Sequence, residues 1–333
     1  MYNDGYYRYS NITPMQEFTY EGRRMIRRSS NVFALSTVAA AVFANAVLSI
    51  IIASVARIDI AAATYFYSAW GGLVVQTAFS VLMFSVAFIV AARIDKTEVR
   101  GLLQIRKVRA SLLWPLVGCG LGVSLVINDM VSRFVGTLNQ IGINPSAGEL
   151  AIPDGLVGEV VYAIVISLVP AIMEEFAMRG IVLGSLRKYG TAFAIIVSSM
   201  LFGLLHGNLV QIPFAFALGC VLAYVDVVAD SIIPSVIIHF VNNLLSAVQK
   251  IVSKRYGDVF GTYTIIISFA MCAVVGIVSF VFLCKKHSHP FAPIKDNPVF
   301  PLGTAVKYSC SSVGMIVAFV VFGGEALVNV LFN

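Results

Sequence analysis

Charge is what this sequence has least of. Lys, Arg, Asp and Glu make up 12% of its 333 residues, against about 25% in an ordinary soluble domain. That deficit, beside 59% hydrophobic residues, excludes a string of soluble domains and predicts a chain whose solvent is mostly lipid. Cysteine pairs are missing too. Cys119, Cys220, Cys272, Cys284 and Cys310 are scattered singly with no CxxC, which argues for buried free thiols over a disulfide framework. The net charge of +6 forms no basic patch interleaved with aromatics, so no nucleic-acid partner is expected. No cleavable signal peptide is visible ahead of the first apolar run, which is expected to insert the protein itself. No internal repeat is evident, and a proton-coupled transporter would need one.

What is present is a series of apolar runs of spanning length, near 31–56, 70–92, 110–131, 157–186, 191–207, 209–226, 231–251, 263–284 and 309–331. They predict an all-α, polytopic transmembrane helical bundle of nine spans, or eight if one run lies in the interface, around a membrane-embedded polar cavity. Residues 1–30 read as a cytoplasmic segment and 31–331 as one bundle. With the N-terminus inside, 17 Lys and Arg fall in inner segments, and only Arg57, Arg133, Lys250, Lys254 and Arg255 fall in outer ones.

Against that background Glu174, Glu175 and Arg179 stand out, since a charged residue at the centre of a span costs at least about 2.5 to 3.5 kcal/mol. Glu175 and Arg179 are spaced i,i+4 with the acid first, the favourable order for a same-face ion pair. Glu174 is turned about 100° away and stands free to act as a base. Two of the four histidines, His206 and His239, also lie in apolar runs. Counted from a turn at Gly190, Glu174 lies 16 residues before and His206 16 after, about 24 Å deep on each helix. His239 and Asn243 stack one turn apart on a later span. A carboxylate and an imidazole can polarise water, and a second imidazole with a carboxamide can stabilise the oxyanion formed on a carbonyl. Two histidines and an acid are also the inventory of a catalytic zinc site, without local HExxH spacing. Zinc bound by Glu174, His206 and His239 therefore stays open, although the water mechanism requires no cofactor.

Three motifs carry a resemblance. Glu174-Glu175-Phe-Ala-Met-Arg179, Phe202-Gly-Leu-Leu-His206 and His239-Phe-Val-Asn-Asn243 read EExxxR, FxxxH and HxxxN, in order. Over roughly 155–250 the chain resembles the CAAX protease and bacteriocin-processing (CPBP, Abi) family of intramembrane endopeptidases. The resemblance implies that Glu174 activates water with help from His206, that His239 and Asn243 stabilise the oxyanion, and that Glu175 and Arg179 hold the site together. It implies peptide or membrane-protein substrates such as leader peptides, and a location in a cell membrane, bacterial by overall layout. Phe202 and Asn208 are secondary candidates, the first as a cavity wall and the second as the end of the fifth span. Asn242 is expected to pack against a neighbour. Glu325 is left without a role, and Asp129 and Glu159 are expected near an outer interface. His287 and His289 read as a solvated linker. A non-catalytic membrane scaffold or sensor that binds a signalling or export partner is the alternative function.

Overall fold

The computed structural model describes residues 14–96, 104–143, 145, 150–286 and 298–331, so His287 and His289 lie outside the described residues. The described chain is helical throughout, with no strand among the described residues. Its helices are α1 (Pro14–Ile58), α2 (Ile60–Tyr65), α3 (Ala69–Phe84), α4 (Val86–Ile94), α5 (Ala110–Gln140) and α6 (Gly155–Glu175). A π-helical segment (Phe176–Leu183), one α turn and a 3-10 turn (Arg187–Tyr189) follow α6. Then come α7 (Thr191–Leu204), α8 (Gln211–Ala229), α9 (Ile233–Tyr256), α10 (Asp258–Lys286), α11 (Leu302–Cys310) and α12 (Val313–Leu331).

Among the described residues eight stretches of helix are long and apolar enough to cross a membrane, and the chain is an integral membrane protein. The ninth expected span, 191–207, forms the 14-residue helix α7. At 1.5 Å per residue it reaches about 21 Å, short of a hydrocarbon core of about 30 Å. It does not lie in the interface either. Phe193, Ala194, Val197, Ser198, Leu201 and Phe202 are all buried, so α7 is a core helix that opens only along the stripe Ala192, Ile196 and Met200.

Two apolar clusters hold most of the bundle, and α7 belongs to the first. One joins α1, α4, the π segment, α7 and α12 through Phe33, Phe88, Met178, Leu201, Phe202 and Met315. The other joins α5, α8, α9 and α10 through Leu116, Leu121, Leu222, Ile238 and Leu283. Lipid tails supply no hydrophobic drive between helices, so close approach at small residues matters more than in water. Gly122 and Gly276 provide it between α5 and α10, where a Cβ on Gly276 would come within 2.9 Å of the Gly122 Cα.

The turns are pinned by polar contacts. Gly190, at φ 132°, reverses the chain between Tyr189 and α7. Beside it Lys188 pairs with Asp95 at 2.7 Å, and Ser29 links Asp95 at 2.5 Å to the Tyr189 hydroxyl at 2.9 Å. At the α8–α9 turn Asp230 pairs with Arg106, and Ile232 N donates to Gln104 O. At the other end Lys254 donates to Asp154 Oδ1 at 2.8 Å and to Ile152 O at 2.6 Å. That bond, helped by the ammonium charge, holds the Asp154 carboxyl below its usual range. Asp129 pairs with Arg133, and the buried Glu159 with Arg255 at 3.1 Å.

Candidate active site

The two adjacent glutamates fall where α6 gives way to the π segment. Such i→i+5 stretches recur at functional sites, and no residue pattern in 176–183 announces this one. It also replaces part of the straight α-helical count used to place Glu174 level with His206. The pairing survives nevertheless: Glu174 and His206 line one pocket of about 160 Å³, with Gln76, Phe79, Ser80 and Phe202.

Glu175 is fully buried and doubly occupied. Its Oε2 lies 3.0 Å from Arg179 Nε, and its Oε1 lies 2.8 Å from His239 Nδ1. Arg179 is itself buried, donates over 3.4 Å to the Gly219 carbonyl, and stands 4.3 Å above the Phe202 ring. The expected i,i+4 brace is therefore present, and it extends to His239. Glu174 differs. Its Oε2 is buried, with no hydrogen-bond partner among the described residues, and lies 3.9 Å from His239 Nε2.

The hydrogen bonds assign the imidazole nitrogens. His206 Nδ1 contacts the Phe202 carbonyl at 2.9 Å; a carbonyl only accepts, so Nδ1 carries a proton. His239 Nδ1 donates to the Glu175 carboxylate in the same way, which orients the ring. Phe202 sits between them. Its ring meets both imidazoles edge to face, at 5.1 Å to His206 and 5.9 Å to His239. Expected as a cavity wall, it also fixes Arg179 and both histidines at once.

Asn208 is buried, but it braces the loop after His206. Its Nδ2 donates to the His206 carbonyl at 2.9 Å and to Gln211 Oε1 at 2.7 Å, while its Oδ1 accepts from Gln211 N at the start of α8. Asn243 is not brought into the Glu174 pocket. It lines a neighbouring polar cavity between α5, α9 and α10. Asn242 does meet a neighbour, accepting from Asn128 over 3.4 Å. Among the described residues no three His, Cys, Asp or Glu side chains form a metal-holding group.

Three nearby residues were missed from sequence. Gln76 and Ser80 enter the pocket from α3, and Gln76 is the one carboxamide in the 69–94 run, a signal that was readable. Asp226, buried on α8, accepts from Ser235 N at 3.1 Å and caps α9 ahead of His239. Glu325 has a location now. A Cβ on Gly207 would come within 2.7 Å of the Glu325 carboxyl, and Asn329 Nδ2 donates to the Gly207 carbonyl at 3.1 Å. Both residues of α12 thus press on the loop that follows His206.

Fold and site define a class: a polytopic membrane protein with a buried carboxylate, guanidinium and imidazole network and one unsatisfied glutamate beside it. Residues 156–245 match the family model described as type II CAAX prenyl endopeptidase Rce1-like, and that stretch carries the three motifs of the CAAX protease resemblance. No curated protein and no solved structure shows significant similarity.

Proposed function

We propose that the protein is an intramembrane endopeptidase that hydrolyses peptide bonds of membrane-associated proteins or leader peptides, with Glu174 as the general base on water. The observation that carries this is the division of labour between adjacent carboxylates. Glu175 is held at 3.0 Å by Arg179 and at 2.8 Å by His239, whereas Glu174 stands 3.9 Å from His239 and faces a pocket shared with His206. Water held between Glu174 and His206 Nε2 would lose its proton to the carboxylate as it attacked the carbonyl carbon. As an imidazolium, with Nδ1–H on Glu175, His239 would present Nε2–H to the developing oxyanion. Asn243, one turn further along α9, would complete that pair by reaching across from its own cavity once substrate is seated. Collapse of the tetrahedral intermediate then returns the proton to the leaving amine.

The matched family's name refers to prenylated CAAX proteins. A cavity of about 730 Å³ lies between α5, α8 and α10, lined by Gly122, Val126, Val221, Tyr224, Ile277 and Phe280. Its almost wholly apolar walls suit a hydrocarbon chain, so a prenylated peptide ending in CAAX is the first substrate to try. The orientation we favour keeps the N-terminus cytoplasmic, by the charge asymmetry of the segments.

The test is cleavage in proteoliposomes in ¹⁸O-water with hydroxylamine present. Direct attack by water predicts ¹⁸O in the new carboxylate and no hydroxamate. A hydroxamate product would mean an acyl-enzyme and overturn the mechanism. An inert wild-type protein whose deletion still had a phenotype would favour the scaffold reading.

A further inference from the structure

The cavity that holds Asn243 is polar without being charged. It occupies about 340 Å³ between α5, α9, α10 and the start of α8. Its polar lining is of one kind: the carboxamides of Asn128, Gln211, Asn242, Asn243 and Gln249, joined by hydroxyls such as Ser268. Among the described residues that line it, none carries a charge. Uncharged hydrogen-bonding groups at membrane depth need partners, and here most of their capacity is open. A carboxamide offers two donors and one acceptor oxygen, yet the Asn128–Asn242 contact spans a long 3.4 Å.

The cleft touches the candidate active site by two routes. Asn243 lies one helical turn beyond His239, whose Nε2 faces Glu174. Gln211 is bonded to Asn208, which is bonded to the His206 carbonyl. From Asn242 to Gln249 the cleft follows α9 for about 10 Å, the length of about three residues of extended chain at roughly 3.3 Å each. A peptide main chain brings alternating N–H and C=O groups that must be satisfied inside a membrane. Carboxamides provide both complements without charge, whereas a bound anion or cation would call for charged partners.

We infer that this cleft binds about three residues of the substrate's extended main chain on one side of the scissile bond, and selects uncharged side chains there. The inference rests on the peptidase reading. Main-chain bonds give affinity, as in strand addition to a sheet edge, and the absence of a counter-charge excludes Asp or Lys in that stretch.

The experiment uses full-length Glu174→Gln protein in nanodiscs, so that binding is read without turnover. The probe is a fluorescent nonapeptide of Ala, Leu and Ser with capped ends, and its affinity is taken from polarisation. N-methylation of three successive central amides removes three donors and should weaken binding about a hundredfold, at about 1 kcal/mol per bond. A central Asp should weaken it at least tenfold. Asn242→Leu and Gln249→Leu, each added to Glu174→Gln, should each weaken it about fivefold, with monodisperse protein confirming the fold. Equal affinity for parent and methylated peptides, unchanged binding by both Leu variants, or no binding of the parent peptide would overturn the inference. Displacement by maltoside without sensitivity to methylation would assign the cleft to sugar headgroups and overturn it as well. Cleavage of the probe by Glu174→Gln protein would count against the peptidase mechanism alone, because the affinities are a separate readout.

Discussion

Replacing Arg179 by Leu should be among the most damaging single changes outside the reacting groups. The guanidinium and the Glu175 carboxylate are both buried and lie 3.0 Å apart, so removal of one leaves the other as an uncompensated charge. Breaking a buried pair in this way costs about 3–5 kcal/mol. The stacking over Phe202 at 4.3 Å adds up to about 2 kcal/mol for a desolvated cation–π contact. Fluorescence-monitored thermal unfolding in detergent should therefore show the midpoint falling by about 10 °C or more, at roughly 2–4 °C per kcal/mol for chains of this order of size. The double variant Glu175→Gln/Arg179→Leu removes the orphaned charge and should recover at least half of that loss. It should not recover activity, since the carboxamide it places at that position no longer offers a carboxylate to His239. If Arg179→Leu unfolded within 2 °C of wild type, or if the double variant were less stable than the single one, the reading of Glu175 and Arg179 as a brace would be wrong.

Phe202→Leu keeps the volume roughly but loses the ring that Arg179, His206 and His239 share, so peptide turnover should fall about tenfold to a hundredfold through looser positioning, with the midpoint lowered by a few degrees. At the α5–α10 contact, Gly122→Val puts a branched side chain where a Cβ would come within 3.0 Å of the Gly276 Cα; about 1–3 kcal/mol of destabilisation is expected from overpacking, read by the same unfolding assay. Because Glu174, His206 and His239 are not gathered as a ligand set, cleavage should persist after exhaustive treatment with a chelator, and elemental analysis of active protein should find zinc well below one per chain.

Much of the bundle was legible because lipid imposes a minimum length on an apolar run, and the eight long stretches follow from that alone. The status of α7 was not. A helix buried in protein over most of its surface is apolar all round, as a lipid-facing one is, so composition cannot tell Phe193–Phe202 from a span. The Glu175–Arg179 pair was readable from i,i+4 spacing, and the shared pocket of Glu174 and His206 from counting about Gly190. The π segment was invisible, since Arg179 and Gly180 within it fit an α-helix equally well. The side of α9 on which Asn243 opens was hidden too, since stacking with His239 fixes a face but not what packs against it. The place of Glu325 emerges only in three dimensions: α12 reaches the His206 loop across 122 positions, through Asn329 and Gly207.

The central claim is that Glu174 is the base and Glu175 the brace, and the turnover number of Glu174→Gln tests it most directly. Measured on a cleavable peptide with protein of unchanged unfolding midpoint, it should fall about a hundredfold to ten-thousandfold, the range general-base catalysis supplies. Turnover within threefold of wild type would contradict the account.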